Sequence, residues 1–172
     1  MRSQTYLFNN TYMIISTLPR IFFVFFLITT LTIACVFAQI PPDKDGLLNA
    51  EGMGQAKYAE MNGYPGPKHV LELADKLKLT DDQKKSAQSI YDEMSTRSKE
   101  IGKQVIRVEQ ELNDAFVQGF ISEKSIRTDS EEIGRLRGKL RAVHLVAHLK
   151  TKAVMNESQI ALYKKLRSAG TE

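Results

Sequence analysis

Two apolar stripes dominate the chain. Ile90, Met94, Ile101, Val105, Val108, Leu112 and Phe116 follow one another at intervals of four, seven, four, three, four and four residues. That spacing keeps one narrow face of an α-helix apolar. It predicts a helix from Thr80 to about Gln118, roughly 55 to 60 Å long at 1.5 Å per residue. A second stripe runs through Ile126, Ile133, Leu136, Leu140, Val143, Ala147, Thr151 and Val154. Gly119 breaks the first helix, Ser122 can cap the second, and the second should end near Val154. Val70, Leu71, Ala74 and Leu77 mark a short amphipathic helix before the first stripe. Ile160, Tyr163 and Leu166 mark another after the second, with Gly170 as its stop. The fold class is therefore all-α, laid out short, long, long, short. Glu93 with Arg97 and Glu131 with Arg135 stand four residues apart and should support the exposed sides modestly.

Two of these helices begin in the same way. In Leu79-Thr80-Asp81-Asp82-Gln83, the Thr80 hydroxyl can accept from the amide of Gln83 while Gln83 reaches back to the amide of Thr80, a capping box worth roughly 1 kcal/mol. Met155-Asn156-Glu157-Ser158-Gln159 repeats the pattern, and there Met155 and Ile160 also complete a hydrophobic staple. Asp81, Asp82 and Glu157 suit the positive ends of the two helix dipoles. Read as chemistry alone, Leu79, Thr80 and Gln83, with Met155, Asn156 and Gln159, start helices and do nothing else.

The chain ahead of the helices has two parts. Ile21 to Ala38 is almost unbroken apolar sequence behind Arg20. It reads as a secretory signal, cleaved after Val36-Phe37-Ala38, or as an uncleaved membrane anchor of just sufficient length. Thr32-Ile33-Ala34-Cys35 also loosely resembles a lipoprotein processing site, with threonine poorly placed three before the cysteine. Each version carries the protein into or across a membrane, so residues 1–38 are an export segment. Residues 39–67 hold Pro41, Pro42, Gly46, Gly52, Gly54, Gly63, Pro65, Gly66 and Pro67 without any sustained apolar period. They read as a flexible linker, mobile or laid over the folded part. Residues 68–170 form the helical domain.

Composition narrows the function classes. The 172 residues suffice for one domain with a core. The calculated pI of 9.1 overstates the charge of the folded part. Of 24 basic residues Arg2 and Arg20 fall in the first 38, where there is no acid, so 22 basic residues face 20 acidic ones beyond. That balance gives no case for nucleic-acid binding. Cys35 is the only cysteine, which excludes a disulfide within one chain and a cysteine-based metal site. No nucleophile with a visible base, no phosphate-cradling glycine loop and no cofactor fingerprint is present, so no enzymatic activity is expected.

The two boxes also carry a resemblance. Leu79-Thr80-Asp81-Asp82-Gln83 resembles the LTxxQ motif of the Spy/CpxP family of small periplasmic helical proteins. The second copy is degenerate, with Met155 and Asn156 where the family usually has Leu and Thr. Ala147-His148-Leu149-Lys150-Thr151 is similar to the family's approach to its second motif. The resemblance covers about Lys68 to Ala169. It implies a four-helix hairpin, two long antiparallel helices flanked by two short ones, that dimerises into a curved cradle in the periplasm. Relatives include ATP-independent chaperones, an adaptor that damps an envelope-stress kinase, and heavy-metal sensors or resistance proteins.

Two kinds of site follow as expectations. Narrow stripes on long helices leave apolar surface over, for a dimer or for another occupant. Lys84, Lys85, Arg97, Arg107, Arg135 and Arg141, with Lys99, Lys103, Arg137 and Lys139, interleave with apolar positions. Such a face could attract an unfolded client by charge and hold it by apolar contact, with Met53, Met61 and Met94 as adaptable contacts, although Met94 suits the core better. The same residues equally suit solvated helix faces. His144 and His148 are four apart, at the edge of the packed face, and could offer two imidazoles to one zinc, copper or nickel ion, with His69 and Glu72 adding ligands. Leu145 follows His144, so the pair is not the hydrolytic HExxH motif. The first expectation is thus a non-catalytic envelope-stress protein, needing no cofactor, that binds unfolding envelope proteins or a membrane-bound stress sensor. The alternative is a periplasmic metal sensor or resistance protein.

Overall fold

The computed structural model describes residues 40–169, so the stretch read as an export segment, Cys35 and the expected stop at Gly170 lie outside the described residues. Six helices follow in order: α1 (Lys44–Asn49), α2 (Lys57–Met61), α3 (Pro67–Glu72), α4 (Asp81–Val117), α5 (Glu123–Val154) and α6 (Glu157–Ala169). The described part is all-helical and has no strand. None of its helices is long and apolar enough to cross a membrane.

α4 starts where its chemistry dictates. Gln83 donates its backbone amide to Thr80 Oγ1 at 3.2 Å, and Thr80 donates its own to Gln83 Oε1 at 3.0 Å. The helix stops at Gln118, after which Gly119 takes a left-handed φ of 74° that a side chain would strain. Ser122 and Ser125 form a second capping box, on α5. The two long helices run antiparallel. Ser98 meets His144 midway, and Gln83 reaches the carbonyl of Val154 at the base.

Two apolar clusters hold the layers together. Towards the middle, Val105, Ile106, Val108, Leu136 and Leu140 pack with Leu47 of α1. At the base, Val70, Leu77, Leu79, Ala87, Met155 and Tyr163 join α3, α4 and α6, with Ile160 packed against them, so the expected staple partners share one cluster. Met94 is buried, as its place on the stripe requires.

The segment read as a flexible linker is built into the fold. α1 and α2 lie within it, Leu47 is only 1% exposed, and Pro41, Pro65 and Pro67 are buried. Its apolar residues are too sparse to show a period, and their partners sit far along the chain. α4 also accommodates it with a notch. A Cβ on Gly102 would stand 2.5 Å from the Leu47 carbonyl oxygen, so only glycine admits the α1 backbone there.

Three smaller expectations change. The short helix before Thr80 ends at Glu72, and the chain reaches Leu77 and Leu79 through turns, with Lys78 left-handed at φ 52°. Phe116, at the end of the first stripe, is 56% exposed, because among the described residues the last turn of α4 outruns the elements that pack on the long pair. Arg135 pairs with Glu132, one residue later than expected, whereas Glu93 and Arg97 do pair, at 3.2 Å.

Candidate functional site

The capping boxes at the starts of α4 and α6 meet. Gln83 Nε2 donates to Gln159 Oε1 at 2.9 Å, and Gln159 Nε2 donates back to Gln83 Oε1 at 3.0 Å. Each side-chain oxygen also accepts its own cap amide, from Thr80 and from Asn156, both at 3.0 Å. The remaining donors go to Val154 O at 2.9 Å and Leu77 O at 3.4 Å. The repeated box is therefore a joint between the starts of α4 and α6. The sequence signal was glutamine at both third positions: glutamate can close a box, but it has no hydrogen to donate across one.

The three described histidines line one cavity of about 390 Å³, together with Met53, Lys57, Glu60 and Arg167. α5 brings His144 and His148 from one side, α3 brings His69, and the segment around α2 roofs the space. His148 donates Nδ1–H to the Tyr64 carbonyl at 2.7 Å, which leaves the lone pair on Nε2. His69 Nδ1 is held by Glu72 at 3.0 Å in the same manner. His144 is 3% exposed, not at an edge as expected, and its Nε2 lies 3.4 Å from Ser98 Oγ on α4. Burial, with a smaller push from His148, lowers the pKa of His144 below the ordinary imidazole range, so the ring favours its neutral form.

Glu60, which nothing in the sequence marked, is the polar hub of the cavity. It accepts from the buried Tyr163 hydroxyl, pairs with Arg167 Nε at 3.3 Å and stands 3.7 Å from His148 Nδ1. Burial and then Glu60 drive the Tyr163 pKa well above the phenol range. Among the described residues no three His, Cys, Asp or Glu side chains stand close enough to hold a metal ion. His148 and His69 have the anchored Nδ1 that orients an imidazole for a metal site, but a complete ligand set needs further groups to move in.

A second concave feature lies between the long helices. Ile90, Met94, Ala142, Val143, Val146 and Ala147 line a cleft of about 220 Å³, and Glu93, Arg97 and Lys150 rim it. Val146 is 49% exposed there, and neighbouring Leu149 is 59% exposed. At the far end of the long helices Phe116, Val117, Phe120 and Ile126 are also exposed.

The basic residues expected to face a client do not form one patch. Arg97 is at the cleft rim, while Lys85 lines a shallow polar depression with Gln88 and Asp92. Lys84 pairs with Asp75 at 3.7 Å, Arg107 with Glu111 at 3.8 Å, and Arg135 with Glu132. Arg141 lies 5.8 Å above the Tyr58 ring, on the side of α2. Local carboxylates thus take up much of the charge that the sequence offers to a partner. No protein-family model, curated protein or solved structure matches the chain.

Proposed function

We propose that this chain is an exported, non-catalytic helical protein of the Spy/CpxP kind, working in the periplasm by holding unfolding envelope proteins or a stress-signalling partner. The reading includes a four-helix hairpin and a dimer formed along the long helices. The observation that carries it is the cleft between α4 and α5, an apolar floor with charges of both signs on its rim. Apolar contact without directional bonds suits clients of many sequences, and rim charges raise the rate of encounter. Val146→Asp tests this, because an exposed side chain changes without disturbing the buried clusters. The variant should stay folded and lose most of its ability to suppress aggregation of a heat-unfolded client. Suppression undiminished by Val146→Asp would remove the cleft from the account.

The cavity favours a second reading, a sensor or resistance protein for zinc, copper or nickel. Its support is the convergence of His144, His148 and His69 on one space, two of them with Nδ1 anchored. Calorimetric titration with each metal, beside the His144→Ala, His148→Ala double variant, decides it. Micromolar or tighter binding that vanishes in the variant selects the metal reading, and weak binding common to both discards it.

A further inference from the structure

We propose that the surface beneath α1 is a second seat for an unfolded chain, and that residues 43–49 occupy it as the protein's own ligand. The inference rests on the client-binding reading and names a recognition chemistry for it. α1 has six residues and one fully buried anchor, Leu47, set against Val105, Ile106, Val108, Leu136 and Leu140. Four residues before that anchor, Asp43 takes both terminal nitrogens of Arg137, at 2.7 and 3.1 Å, and Arg137 also reaches Glu109 at 3.3 Å. The seat thus reads a carboxylate and, one helical turn on, a leucine.

Its third element reads backbone alone. Gly102 interrupts α4 with a residue that weakens helices, and the space where its side chain would be takes the carbonyl of Leu47. A notch for a peptide group accepts any sequence that presents one.

The tether of this ligand is strained. Ala50 and Met53 hold left-handed φ angles of 56° and 42°, a region that residues with a Cβ avoid, just where α1 leaves the surface. Docking of α1 therefore works against its own connection. An outside segment with an acidic residue four before a leucine meets the same Arg137, the same notch and the same apolar floor without that strain. Its disadvantage is the high effective concentration of the tethered α1.

The test uses a fluorescent peptide with the sequence of residues 40–50, followed by anisotropy with the full chain. Asp43→Ala, which removes the ion pair from the tethered copy, should bind the peptide about fivefold or more tighter than the unaltered protein, the order expected of a half-buried charge-assisted contact. Ala50→Gly, which relieves the tether, should bind it more weakly. A peptide carrying Leu47→Asp should not bind. Hydrogen exchange reports which elements open. Release of residues 44–49 in Asp43→Ala without any gain in peptide binding overturns the proposal. So does loss of α4 and α5 protection in both Asp43→Ala and Leu47→Ala, since α1 is then part of the core and not a ligand. Aggregation assays are separate: peptide binding without client rescue keeps the seat and removes only the chaperone reading.

Discussion

Gln83 and Gln159 each use their whole amide, two acceptances and two donations, and that economy makes them hard to replace. Gln83→Glu keeps the capping box but sets carboxylate oxygens against Val154 O and Gln159 Oε1, where two donated hydrogen bonds stood. Losing these half-buried donors with their acceptors left facing a charge costs about 2 kcal/mol, against about 1 kcal/mol for removing the cap by Thr80→Ala. Urea unfolding of the two variants should rank them in that order. The reverse ranking would mean that the cap and not the joint holds these ends. The box as a helix start was legible because capping is a contact between near neighbours. Its partner was not, because nothing in residues 79–83 says which distant amide will face them.

The same division of near and far separates the elements. α4 and α5 were legible within a residue or two of their observed bounds, since their stripes repeat for many turns and the caps at Thr80 and Ser122 are local. α1 and α2 were invisible to periodicity, each being too short to show one, and the glycines and prolines around them read as mobility, whereas Gly46, Gly63 and Gly66 stand against side chains and Pro41, Pro65 and Pro67 are buried. The histidine cavity stands between these cases. The spacing of His144 and His148 announced a shared face, but the roof, and Glu60 at its centre, came from chain expected to be a linker. The glycines of the long helices show how context decides. A Cβ at Gly138 on α5 meets nothing within 4 Å, so Gly138→Ala should stabilise by about 0.5–1 kcal/mol through helix propensity alone. Gly102→Ala carries the same propensity gain but collides with Leu47 O, and should lower the melting temperature or free α1 to exchange. Equal gains from both changes would show that the α1 backbone is not seated in the notch.

As a whole, the described part is unevenly furnished. Short helices gather at the base and over the middle of the long pair, while the far end is bare: Val117 is 77% exposed and Phe120 66%. Such a tip is adhesive. Phe116→Ser with Phe120→Ser should reduce self-association in sedimentation measurements, yet shift stability by no more than about 0.5 kcal/mol, as surface changes do. A large fall in the melting temperature would instead place those rings inside a stabilising contact. The paired glutamines give this uneven body a timetable. The start of α4 waits for a partner 76 residues downstream, so a ribosome, or a pore that passes the chain in order, delivers the first box long before the second. Until Gln159 emerges this joint cannot close, so the cluster around Leu47 can assemble first, and the base is completed only once the start of α6 has been delivered.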